Sequence, residues 1–216
     1  IDLAPDPDWL TLVEEDVRRT LAGPVLASAP IIRVSARQGI GIQELIHALE
    51  TCLKDRPPRP NLGRPRLPVD RSFSVAGFGT VATGTLLDGS FQIGDEVIVL
   101  PEGKRGRVRG LQSHNQEEKI ALPGSRTAIN VAGLNVDEVP RGSWITKPGD
   151  YAATRRVDVR FIQLPDVVQP VGHNMEVKFF LGAAEIVGRV RLLGVDELAP
   201  GETGWLQLEL RDPVIA

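Results

Sequence analysis

Lys104 is followed by three arginines at alternate positions, Arg105, Arg107 and Arg109. Side chains two residues apart in a strand point to the same side, so these arginines form a basic stripe on one strand face. Such a stripe suits contact with nucleic-acid phosphates, and it equally suits a solvated strand whose charges discourage edge pairing. Asp70 and Arg71 set an acid beside a base, which on residue types alone is an ordinary surface ion pair of small worth. Gly77-x-Gly79-x-x-Ala82 has the spacing of a dinucleotide fingerprint, yet Thr83-Gly84-Thr85 follows instead of a helix, so the glycines read as tight bends or bulges. The sequence holds no Gly-x-x-x-x-Gly-Lys-Ser/Thr run, the loop that cradles nucleotide phosphates and helps to hold Mg²⁺. His47, His114 and His173 are too dispersed for a recognisable metal site, and Cys52 is the only cysteine, so no metal is expected and no internal disulfide can form. Cys52 itself reads as a half-buried small apolar residue.

The elements that must position these residues are of two kinds. Asp6-Pro7 is an N-cap and first-turn pair, Leu10, Val13, Val17 and Leu21 recur at helical spacing, and Gly23 follows as a stop. Pro30 to Ser35 reads as a short buried strand, and Ile42, Leu45, Ile46, Leu49 and Leu53 mark a second helix. Helix, strand, helix over residues 1–56 implies the end of an α/β domain, and a parallel sheet cannot be built from one strand, so the segment reads as a remnant. Residues 55–68 carry five prolines, Pro57, Pro58, Pro60, Pro65 and Pro68, which suggests an extended linker at a domain boundary, placed at 57–66. From Leu67 onward short β-branched stretches alternate with turn signals: Phe73 to Val75, Thr80 to Leu87, Glu96 to Leu100, Arg105 to Leu111, Arg126 to Ala132 and Trp144 to Thr146. That spacing predicts a small closed barrel over 67–150. A second set, Arg156 to Gln163, Asn174 to Phe180, Ala184 to Leu193 and Gly204 to Leu210, predicts another over 151–216, with few enough strands to read as truncated. Trp144 and Tyr151 read as barrel core or domain interface.

The expected fold class is therefore mainly β: two small antiparallel β-barrels preceded by an α/β remnant. The 22 glycines and 17 prolines are scattered over 216 residues, which agrees with many short strands and turns. A formal charge of −3 argues against polyanion binding by the whole surface, so any nucleic-acid contact is local. No apolar run is long enough to cross a bilayer and the N-terminus lacks the layout of a signal peptide, which together with the single cysteine predicts a cytoplasmic protein.

Leu67-Pro68-Val69-Asp70-Arg71-Ser72-Phe73, then Gly77-Phe78-Gly79-Thr80-Val81-Ala82-Thr83-Gly84-Thr85, then Gly94-Asp95-Glu96-Val97, resembles the second domain of the translational GTPases. Asp70-Arg71, the segment Val108 to His114 and the segment Gly124 to Gly133 are more similar to the selenocysteine-specific elongation factors than to elongation factor Tu. His173 to Leu193, with Leu198-Ala199-Pro200-Gly201, is similar to the third domain of that family. Ser35-Ala36-Arg37-Gln38-Gly39 resembles the last guanine-contacting motif, and Ile1-Asp2 falls where the Asn/Thr-Lys-x-Asp motif would end. The resemblance implies that 1–56 is the C-terminal part of a GTP-binding domain whose Asp2, Ser35 and Ala36 contact guanine, by a donor and acceptor pairing that adenine cannot satisfy. It implies GTP and Mg²⁺ as ligands of the parent protein, whereas this chain, without the phosphate loop, is expected to bind and hydrolyse no GTP.

The resemblance also places Asp70, Arg71 and Arg126 in an aminoacyl pocket. A selenol is largely ionised near neutral pH, whereas a free thiol, with a pKa of about 8.5, is mostly neutral there. Arginines stay charged and donate in a fixed fork, and Asp70 can orient one of them while the site is empty. Serine would leave a partly desolvated arginine without its anion, a loss of several kcal/mol, against roughly 1 to 3 for one methylene in an apolar slot. The implied partners are selenocysteyl-tRNA, the ribosome and, through C-terminal domains that lie outside this sequence, a selenoprotein mRNA hairpin. Two rivals stay open: another elongation factor Tu-like GTPase with a generic pocket, and a barrel that serves only for docking.

Overall fold

The computed structural model describes residues 1–4, 6–22 and 26–215. The chain divides into two compact units, Ile1–Pro58 and Arg59–Ala216. In the first, α1 (Pro7–Thr20) starts where the Asp6 carboxylate accepts the Asp8 amide at 2.9 Å, with Pro7 in the first turn. Gly23, expected as its stop, lies outside the described residues. Helix α2 (Ile42–Lys54) follows a loop in which Ser35 and Ile40 exchange backbone hydrogen bonds. No described residue of either helix is buried, and Val13, Val17, Leu49 and Leu53 are exposed.

Two expectations for this unit need correction. The strand expected over Pro30 to Ser35 does not form: among the described residues its only β-pairing is the single bridge from Ser35 to Ile40, and Ile31 and Ile32 are half-buried rather than buried. An isolated segment has no neighbour to accept and donate its ladder bonds, so the apolar run alone does not make a sheet. Among its described residues the unit holds two helices joined by loops. Cys52, expected to be half-buried, is exposed on α2, a helix none of whose residues is buried among the described residues.

The second unit is built from strands. Its first part runs β1 (Arg66–Pro68), β2 (Arg71–Val75), β3 (Gly79–Thr85), β4 (Phe91–Gln92), β5 (Glu96–Leu100), β6 (Lys104–Ser113), β7 (Gln116–Glu118), β8 (Ile120–Ala121), β9 (Arg126–Ala132) and β10 (Trp144–Thr146). One antiparallel sheet is ordered β1-β10-β5-β6-β9-β3-β2, with β7 on β6, and β4 pairs separately with β8. The first and last strands of that order belong to one run of chain interrupted at Val69-Asp70. The Val69 amide donates to the Ser143 carbonyl at 2.9 Å and the Asp70 amide to that of Thr83 at 2.9 Å, so the run serves both ends of the sheet. Alternate residues of each strand turn inward, and Leu67, Val69, Ala82, Phe91, Val97, Val99, Val108, Ile129, Val131 and Ile145 form the core. Each such large side chain contributes about 1.5 to 3 kcal/mol on burial.

The second part holds β11 (Ala153–Ile162), β12 (Val171–Gly172), β13 (Glu176–Leu181), β14 (Ala184–Leu193), β15 (Glu197–Leu198) and β16 (Thr203–Ile215). Four of these form a sheet ordered β11-β16-β14-β13, and β12 pairs with β15. Ile186, Val190, Leu192, Leu206, Leu208 and Leu210 are among its core. Leu100, Trp144 and Ile215 join the two parts, with Tyr151 and Leu181 packed against them. Arg66 lies 5.4 Å from the centre of the Trp144 ring and 5.6 Å from that of Tyr151, and the Tyr151 hydroxyl donates to the Arg64 carbonyl at 3.1 Å.

Candidate functional site

Strand register explains how residues more than fifty positions apart meet. The hairpin closing at Val75 and Gly79 sets Arg71 opposite Thr83, and the next pairing sets Thr83 opposite Ala128 and Thr85 opposite Arg126. Ala128 in turn faces Gln112 on β6. Paired residues share a face, so Arg71, Thr83, Ala128 and Gln112 form a transverse row on the outer side of the sheet, with Arg126 diagonal to Thr83. Asp70 reaches this row because the chain crosses β3 closely at Gly84. A Cβ at Gly84 would lie 2.1 Å from the Pro68 carbonyl oxygen, so only glycine admits the crossing.

The Asp70 carboxylate is held at three points. Arg126 donates through Nη1 to Oδ2 at 2.5 Å and through Nη2 to Oδ1 at 3.0 Å, a bidentate fork, and the Thr83 hydroxyl donates to Oδ1 at 2.7 Å. These hydrogen bonds, those of Arg126 first, hold the Asp70 carboxyl below its usual pKa, and Asp70 raises that of Arg126 in return. The Arg126 side chain is 56% exposed and that of Asp70 31%, so water screens the pair and its contribution to stability is at most about 1 kcal/mol. Arg71 is exposed and, among the described residues, forms no ion pair. Its Coulombic influence on Asp70 is the smallest of the causes. Thr83, Ala128 and Gln112 were not singled out in the sequence. The hairpin signal at Gly77-Phe78-Gly79 would have found Thr83, since counting outward from that turn pairs it with Arg71.

The basic stripe is present but interrupted. Arg105, Arg107 and Arg109 are all exposed on β6, opposite Ile98, Glu96 and no regular partner respectively, because a bulge between Val108 and Gly110 takes Arg109 out of register. Lys104 pairs with Glu138 at 3.1 Å and Arg107 with Glu96 at 3.4 Å. Arg105, Arg107, Glu96 and Pro148 line an open cavity of about 260 Å³. In the first unit Asp2 and Ser35 come together: the Ser35 hydroxyl is the main cause holding the Asp2 carboxyl low, and Ser35 Oγ accepts the Gln38 amide at 3.1 Å. Ser35 is buried and Ala36 beside it is exposed. Among the described residues no group of His, Cys, Asp or Glu side chains is arranged to hold a metal ion, and no helix is long and apolar enough to cross a membrane.

Comparison with known proteins adds a family context. The profile of elongation factor Tu domain 2 matches residues 79–146, which include Thr83, Arg126 and the basic stripe. The chain is 39% identical over 209 residues to the selenocysteine-specific elongation factor of Desulfomicrobium baculatum, covering 97% of this chain and 33% of that protein. Among solved structures it is similar to a bacterial selenocysteine-specific elongation factor, EF-Sec, with a TM-score of 0.79 at 28% identity, over 98% of this chain and 34% of the other. It also shares the fold of the translation elongation factor SelB from Methanococcus maripaludis in its apo form, with a TM-score of 0.80 at 22% identity, over 98% of this chain and 50% of that one. The chain thus spans about a third of the length of the curated relative it matches.

Proposed function

The chain is a homologue of the selenocysteine-specific elongation factors, within the translational GTPases, and from that premise we propose that it supplies the part of such a factor that holds selenocysteyl-tRNA by its aminoacyl end. The observation that carries this reading is the cluster of Asp70, Thr83, Arg126 and Arg71 on one face of the β3 and β9 region. Arg126 paired with Asp70 and Arg71 without an acidic partner among the described residues, in one row with Thr83 and Ala128, suit a site that reads charge, and a generic pocket for neutral side chains has no use for them. On this reading residues 67–150 act as a barrel closed through the run that contains β1 and β2, residues 151–216 as a second barrel, and 57–66 as the linker before them.

Arg105, Arg107 and Arg109, with Lys104, are the proposed contacts to tRNA phosphates; the exposure of the three arginines supports this. Asp2, Ser35 and Ala36 are the proposed guanine contacts, supported by the proximity of Asp2 to Ser35. GTP and Mg²⁺ would be ligands of the complete factor, which acts in the cytoplasm and delivers its tRNA to the ribosome at recoded UGA codons. The test is protection of the aminoacyl ester against hydrolysis by the complete factor. Selenocysteyl-tRNA should be protected far better than seryl-tRNA, and Arg126→Ala should narrow the difference. Equal protection of both esters by the unaltered factor contradicts the reading.

A further inference from the structure

The two arginines of the cluster are not equivalent. Arg126 spends both terminal nitrogens on Asp70, whereas Arg71 has no acidic partner among the described residues, although it directly follows Asp70 in the chain. Register sets Arg71 opposite Thr83, and Arg71 exerts the least of the influences on the Asp70 carboxyl, so the carboxylate has two arginines in its surroundings and is bonded to one of them. We propose that Thr83 is a positioning residue that pins Asp70 onto Arg126 and thereby leaves Arg71 as the cation available to an anionic ligand.

Three observations carry this. The Thr83 hydroxyl donates to Oδ1, the same oxygen that receives Nη2 of Arg126, so rotation of the carboxylate away from Arg126 breaks the threonine bond as well. Arg126 Nη2 also lies 3.5 Å from the Thr83 oxygen, which makes Thr83 the vertex shared by both members of the pair. Finally, the Asp70 amide is bonded to the Thr83 carbonyl at 2.9 Å, so backbone and side chain of Asp70 are tied to one residue, which restrains where the carboxylate sits. The division of roles follows: Arg126 with Asp70 is a nearly neutral buttress, and Arg71 is the residue whose charge is uncompensated.

The ligand named here, an ionised selenol, rests on the aminoacyl reading above; the geometry of Thr83, Asp70 and Arg126 does not. The experiment therefore has two arms. In the first, the Asp70 carboxyl of this chain is titrated by NMR in the unaltered protein, Thr83→Val and Thr83→Ser. Valine keeps the shape and removes the donor, so the Asp70 midpoint should rise in Thr83→Val and return in Thr83→Ser. In the second, ester protection by the complete factor is measured: Thr83→Val should reduce the preference for selenocysteyl-tRNA over seryl-tRNA about fivefold, the equivalent of one hydrogen bond. An Asp70 midpoint that does not move in Thr83→Val, or that serine does not restore, overturns the proposal. If the unaltered factor shows no preference between the esters, the aminoacyl reading fails and the titration still decides the role of Thr83.

Discussion

The crossing at Gly84 yields the prediction with the largest effect on stability. In Gly84→Ala the new Cβ would sit 2.1 Å from the Pro68 carbonyl oxygen, 2.9 Å from Leu67 Cδ2 and 3.0 Å from Leu67 Cγ. An ordinary carbon to oxygen contact is more than an ångström longer than the first of these, and the obstruction is backbone, so the run through β1 must move away from β3. Leu67 is fully buried in the core, so that movement also disturbs its packing. Overpacking of this kind costs about 1 to 3 kcal/mol, and displacement of a backbone already bonded at Val69 and Asp70 puts Gly84→Ala at the upper end, about 3 kcal/mol. With a urea dependence of about 2 kcal/mol per molar, the unfolding midpoint should fall by roughly 1.5 M, followed by the fluorescence of the buried Trp144. Gly110→Ala is the matched control, since its Cβ would meet only the Asn130 Cβ, at 3.8 Å. A midpoint for Gly84→Ala indistinguishable from that of Gly110→Ala would refute the argument that this close approach positions Asp70.

Two further outcomes concern charge. The Asp70 carboxyl is held low in the folded state, chiefly by Arg126 and then by Thr83, so the stability it contributes is present above the unfolded carboxylate value of about 3.9 and is lost as pH falls through its folded value. The stability difference between the unaltered chain and Asp70→Asn should therefore shrink on acidification below about pH 4, by at most about 1 kcal/mol for so exposed a pair, and acid denaturation curves at several pH values would read it. Binding of tRNA to the complete factor should weaken steeply with salt, and replacing exposed Arg105 by Gln should reduce the slope of log affinity against log salt by roughly one; an unchanged slope removes Arg105 from the phosphate contacts.

Much of the strand layout was legible because alternation and turn residues act locally. Glu96–Leu100, Arg126–Ala132, Trp144–Thr146 and Ala184–Leu193 appear with the bounds read from pattern alone. What pattern missed depends on distant partners. The two-residue strands Val171–Gly172 and Glu197–Leu198 exist only through each other and leave no periodic trace. The apolar run before Ser35 looked like a buried strand, but apolar character states a preference for burial and not the presence of a neighbour to pair with. At the candidate site, residue types pointed to Asp70, Arg71 and Arg126, yet composition could not say which arginine the carboxylate holds. That answer comes from register and from one threonine hydroxyl.

The claim that a free guanidinium recognises an anionic side chain is tested most directly by switching on the charge of a ligand without changing its shape. Cysteyl-tRNA does this, because its thiol ionises near pH 8.5 while its size stays fixed. Its affinity for the complete factor, measured before the ester hydrolyses and normalised to seryl-tRNA at each pH, should rise between about pH 7 and 9.5, and the rise should vanish in Arg71→Gln. A ratio of cysteyl to seryl affinity that stays flat across that range in the unaltered factor would contradict the account.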